Sequence, residues 1–97
     1  MEVFYLEWFI NLEQEEQEFI KVLLLNSGSL KDTAKEYGVS YPTIRLRLDR
    51  LLKKIKISEE NKDIFEVNIL NMVVDEEISL DTAKKIIILY KKNKEEL

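Results

Sequence analysis

The sequence contains no cysteine and no histidine. That removes disulfides, thiolate zinc sites, imidazole bases and the usual nucleophile-and-base pairs together. Carboxylates alone can still run acid–base chemistry or hold magnesium. Here they fall in surface-like runs, Glu13, Glu15, Glu16 and Glu18 and then Asp75, Glu76 and Glu77, which read as solvated helix faces. Neither a glycine-rich phosphate loop nor a convergent catalytic set is present, so the expectation is a protein that is not an enzyme and takes no cofactor and no metal. One proline and two glycines are too few for a loop-rich or low-complexity chain. The longest apolar runs, Val22 to Leu25 and Ile86 to Tyr90, are far below the roughly 20 residues of a membrane span. The opening Met1-Glu2-Val3 shows no basic region and no adjoining cleavage site of a secretory signal. A cytoplasmic protein without membrane association is expected.

What is present fits one helical domain. A chain of 97 residues, 45% hydrophobic and 35% charged, has room for a single core across residues 1–97. The net charge of −4 hides a segregation along the chain. Residues 1–29 set Lys21 against six glutamates, and residues 58–97 set six lysines against ten acids. Between them, Lys31, Lys35, Arg45, Arg47, Arg50, Lys53, Lys54 and Lys56 face only Asp32, Glu36 and Asp49. A basic segment between acidic flanks is the electrostatic pattern of a phosphate-binding surface, although a solvated helix face also looks like this.

Local signals divide the chain into helices. A short helix is expected within Val3 to Leu12, dense in aromatic and aliphatic residues. A longer one should run from Glu13 to Asn26, with glutamates in its first turn and Phe19, Ile20, Leu23 and Leu24 buried. Asn26, Ser27 and Gly28 stop it. Ser29 is suited to cap a helix over Leu30 to Tyr37, and Gly38 to end it through a positive φ. Ser40 then caps a further helix, about 41–56, with Pro42 in the first turn, where a missing N–H costs nothing. On that helix Ile44, Leu48, Leu51, Leu52 and Ile55 form a core-facing stripe. Pro42, Thr43, Leu46, Arg50 and Lys53 then lie opposite, flanked by Arg45 and Arg47. Leu46 stands exposed in the middle, either to touch thymine methyl groups or as one of the scattered apolar residues of any surface. Ser58 is expected to cap a strongly apolar helix running to about Val74. Ser79 should cap a last helix from Leu80 to about Asn93, which buries Leu80, Ala83, Ile87 and Tyr90 and leaves its lysines in solvent. The fold class is thus all-α: a helix-turn-helix core of three to four helices over 1–57, then a helical hairpin over 58–97. The hairpin carries more apolar surface than a monomer needs.

The run from Gly28 to Leu48, with Ser40-Tyr41-Pro42-Thr43 followed by Arg45 and Leu48, resembles the helix-turn-helix of an uncharacterised bacterial family in which a cysteine-rich zinc ribbon typically precedes this segment. Trp8, Leu12, Phe19 and Ile20 upstream, and Glu77 to Ala83 downstream, are similar to that family's flanking helices. The present chain has no cysteine with which to build a ribbon, so nothing is carried over from it. More distantly the segment is similar to the Fis-type helix-turn-helix, which implies that Thr43 and Arg45 face a groove while Ile44 belongs to the core.

Together these readings predict a bacterial transcription regulator that binds duplex DNA. Ser40, Tyr41, Thr43, Arg45 and Arg47 would reach base edges, the arginines as forks on guanine. Lys31, Arg50 and Lys53 would hold phosphates. A homodimer through the C-terminal helices would present two recognition helices. The alternative is a protein-interaction module that docks on a transcription-machinery protein without touching DNA; the acidic flanks and the exposed Leu46 support it.

Overall fold

The computed structural model describes residues 6–61 and 63–96. The part of the expected first helix between Val3 and Tyr5 lies outside the described residues. Six helices follow in order: α1 (Glu7–Ile10), α2 (Gln14–Leu25), α3 (Leu30–Tyr37), α4 (Tyr41–Glu60), α5 (Ile64–Val74) and α6 (Leu80–Glu96). No strand occurs among the described residues, so the fold is all-α. Even the β-branched run Ile86 to Ile88 is helical within α6. By its internal contacts the chain divides into two compact units between Ile55 and Lys56.

The first unit is punctuated by side chains that satisfy free helix ends. Glu13 and Glu16 cap α2 reciprocally, the carboxylate of Glu16 accepting the Glu13 N–H at 3.0 Å. Ser27 and Gly28, both with positive φ, close α2, and the Gly28 N–H returns to the Leu23 carbonyl at 2.8 Å. Ser29 Oγ takes the Asp32 N–H at 3.1 Å and starts α3. The α2–α3 corner is fastened from inside: Thr33, fully buried, donates its hydroxyl to the Ser29 carbonyl at 2.7 Å, while Asn26 donates to Thr33 Oγ1 and to Glu36. Gly38, at φ +67°, ends α3, and the Val39 N–H closes on the Ala34 carbonyl. Ser40 Oγ receives the Thr43 N–H at 3.3 Å and opens α4.

The core of this unit consists of Leu12, Phe19, Ala34, Ile44 and Leu51, surrounded by half-buried residues including Trp8, Leu23, Tyr37 and Leu48. Ile44 is wholly inaccessible. Two residues expected in this core, Leu24 and Leu52, lie outside it. On α2, Val22 is buried and Leu24 is exposed. On α4, Leu52 is 44% exposed, and its expected place is taken by Lys54, 4% exposed. Leu51 and Lys54 stand three residues apart on the inward face, whereas Leu52 is turned by about 100° from Leu51. The buried ammonium of Lys54 meets Glu16 of α2. Glu16 is therefore no solvated-face residue, as its glutamate run suggested, but half of a part-buried ion pair.

The second unit is built on one helix start. Ser58 does not cap: it lies inside α4, and the expected break moves to Asp63. The Asp63 carboxylate accepts the N–H groups of Phe65 and Glu66, the Tyr90 hydroxyl at 3.1 Å and the Lys94 ammonium at 3.2 Å. These contacts tie the start of α5 to the last turns of α6, so the two helices form an antiparallel hairpin. Phe65 stacks on Tyr90 with ring centroids 4.2 Å apart, and Lys91 pairs with Glu66. Desolvation raises the Asp63 pKa, but the donors around it outweigh this and hold its carboxyl below the usual aspartate value. Lys94, expected in solvent alone, is held above its usual value, chiefly by the hydrogen bond to Asp63. Val67, Ile69 and Ala83 are buried; Leu80, expected in the core, is exposed, as are Ile64, Phe65, Ile88 and Leu89.

Candidate nucleic-acid interface

The surface of interest is the outward side of α4 and the start of α3. Because Ile44 and Leu51 anchor one face of α4 in the core, the 3.6-residue repeat fixes where every other side chain points. Arg45, Leu46 and Arg47 follow one another at steps of about 100°, so Leu46 is directed away from the core and the two arginines leave on opposite flanks. All three are exposed. The arginines are not brought together, and each has a partner on its own side. Arg45 Nε lies 3.4 Å from Asp49, one turn along. Arg47 places its guanidinium over the Tyr37 ring, 5.2 Å from the centroid.

Arg47 and Tyr37 line an open cleft of about 490 Å³ together with Gln14, Glu15 and Glu18 of α2. The Tyr37 hydroxyl is shielded from solvent without a hydrogen-bond partner. Its pKa is raised, first by desolvation and then by Glu18, against the opposing effect of Arg47. The phenol therefore stays neutral, with the guanidinium over its ring.

The remaining predicted residues are distributed as follows. Ser40 and Thr43 are exposed at the start of α4, but their hydroxyls are engaged with each other at 2.9 Å, and Ser40 also caps. Tyr41 is exposed beside them. Lys53 is exposed further along α4, Arg50 is half-buried, and Lys31 is exposed in the first turn of α3. No group of three or more metal-ligating side chains occurs among the described residues. What sequence reading missed is Lys54, whose ion pair joins α4 to α2 across 38 residues of chain. Its only signal was its spacing of three from Leu51.

Two helices joined by Gly38, Val39 and Ser40, the second carrying a basic outward face over a buried stripe, form a helix-turn-helix. Residues 12–58 match the family model described as Domain of unknown function (DUF2089)-HTH. The match covers about half of the chain and takes in α2, α3, the turn and nearly all of α4. Over these residues the chain is similar to a helix-turn-helix family of unknown function. No curated protein and no solved structure matches the chain. The helix-turn-helix so delimited includes every residue singled out above for nucleic-acid contact, from Lys31 to Lys53. It also includes Glu16 and Lys54.

Proposed function

We propose that the protein binds duplex DNA in a sequence-dependent way through this helix-turn-helix, with α4 in the major groove, as a bacterial transcription regulator. The observation that carries the reading is the outward face of α4. It is basic, exposed and rigidly aimed by a buried stripe, in a chain whose flanks are acidic. Residues at the start of a recognition helix approach base edges, and cations along it reach phosphates. Ser40, Tyr41, Thr43 and Arg45 take the first role, with Arg45 leaving Asp49 to fork onto guanine. An exposed ion pair of this kind is worth at most about 1 kcal/mol, so the exchange is cheap. Arg50, Lys53 and Lys31 take the second. Arg47, on the opposite flank from Arg45, faces the other wall of the groove, and a phosphate contact suits it better than a second guanine fork. One recognition helix reads few base pairs, and a homodimer through the apolar faces of α5 and α6 would supply the second.

The test is fluorescence anisotropy of the protein on mixed genomic duplexes across a salt series, with Arg45→Ala/Lys53→Ala alongside. The expected result is affinity that falls steeply with salt, and a double variant with both weaker binding and a shallower slope. Absence of duplex binding even at low salt would sink the reading and turn attention to protein partners of the same face. Light scattering at micromolar concentration tests the dimer, and a monomer there would remove it.

A further inference from the structure

Leu46 points away from the core near the start of α4, and it is 50% exposed. Half of its surface is left open to solvent. Arg45 on one flank is drawn to Asp49, and Arg47 on the other is drawn over Tyr37. One turn earlier stand Pro42 and Thr43, both exposed. The Thr43 hydroxyl is engaged with that of Ser40 at 2.9 Å. An exposed leucine therefore stands within an otherwise basic face, with an exposed proline four residues before it on the same side of the helix. Cations for the two walls of a groove lie to either side. Apolar area of this kind gains free energy only where a partner also presents apolar atoms. On the floor of the major groove the one such group is the thymine 5-methyl.

We propose that Leu46 is a specificity-determining residue that reads thymine methyl groups, so that the preferred site carries thymine under the centre of α4, bracketed by phosphate contacts and an Arg45 contact at the flank. This rests on the duplex-binding reading above and adds the base chemistry at the helix centre. It also explains how the site is read although the two arginines diverge.

The experiment starts from random-sequence duplexes enriched on the wild-type protein. In a retained duplex each thymine is replaced in turn by deoxyuridine, which removes the methyl and leaves every hydrogen-bonding group. Affinity is measured by anisotropy at fixed salt for the wild type and for Leu46→Ala. Because Leu46 is a surface residue, Leu46→Ala should melt like the wild type, and Leu46→Asn serves as a second variant. The expected result is one or two positions at which deoxyuridine weakens wild-type binding roughly three- to fivefold, the order for one buried methyl group. Leu46→Ala and Leu46→Asn should be indifferent to the same replacement. Salt-dependent duplex binding that is insensitive to deoxyuridine at every position, or sensitive to the same degree in both variants, would overturn the assignment while leaving duplex binding intact. No binding of any duplex would overturn both.

Discussion

At the residue scale, two positions separate backbone demands from side-chain demands. Gly38 ends α3 at φ +67°, and a Cβ built there meets no atom within 4 Å. The cost of Gly38→Ala is therefore conformational, about 1–2 kcal/mol for an L-residue forced into the left-handed region. Gly38→Asn should cost less, because asparagine visits that region more readily. Urea melts of the two variants check this, and equal losses would count against a purely backbone origin. Lys54 is the opposite case, since its geometry is an ordinary helix and its setting is not. Removing one partner of a buried pair is far worse than removing both. Lys54→Ala should destabilise by about 2–4 kcal/mol, because it empties a packed site and leaves Glu16 unpaired. Lys54→Met with Glu16→Gln should stay close to the wild type, as thermal melts of the three proteins would show.

At the scale of the elements, acid stability of the C-terminal hairpin turns on Asp63. Its carboxyl is held below its ordinary value by Lys94, Tyr90 and two backbone N–H groups, which outweigh desolvation. A carboxylate with a depressed folded-state pKa contributes stability that is complete above the unfolded value, about 3.9, and is lost as pH falls through the folded value. Asp63→Asn keeps a capping side chain but no charge, so it should flatten the acid limb of a melting profile between about pH 5 and pH 2. A variant profile parallel to that of the wild type would show that other carboxylates dominate.

The same helix start marks the limit of what local sequence conveys. The stretch from Ser29 to Thr43 was legible because its signals act within a few residues: serine caps, a glycine at a positive φ, a proline where no donor is needed. The boundaries of α3 and the outward face of α4 followed, and with them the candidate contacts. Ser58 misled because a serine followed by glutamates looks like a cap wherever it stands. Asp63 offers a charged acceptor that α6 also binds, and no short window contains both partners. Lys54 was missed for a similar reason, because the carboxylate of Glu16 that its buried ammonium meets lies 38 residues away. The divergence of Arg45 and Arg47 was implicit in their spacing of two. Their partners Asp49 and Tyr37 had to be seen.

At the scale of the whole molecule, a net charge of −4 opposes approach to DNA while the helix-turn-helix attracts it. The two effects have different ranges. Phosphate contacts form at a few ångströms and weaken with salt through counterion release, whereas repulsion from the acidic faces acts across a distance that shrinks from about 30 Å at 0.01 M salt to about 8 Å at 0.15 M. Glu15 and Glu18 are exposed on α2, in the same unit as residues 41–55 of α4, and line the cleft beside Arg47. Neutralising them with Glu15→Gln/Glu18→Gln should strengthen duplex binding at low salt and raise the association rate more than it lowers dissociation. The advantage should fade as salt rises, giving a steeper salt dependence than in the wild type. Anisotropy titrations with stopped-flow association at three salt concentrations would read this. If the double variant gained equally at all of them, the glutamates would be acting through a local contact such as the Arg47–Tyr37 pair, and Arg47 would then be the residue they restrain.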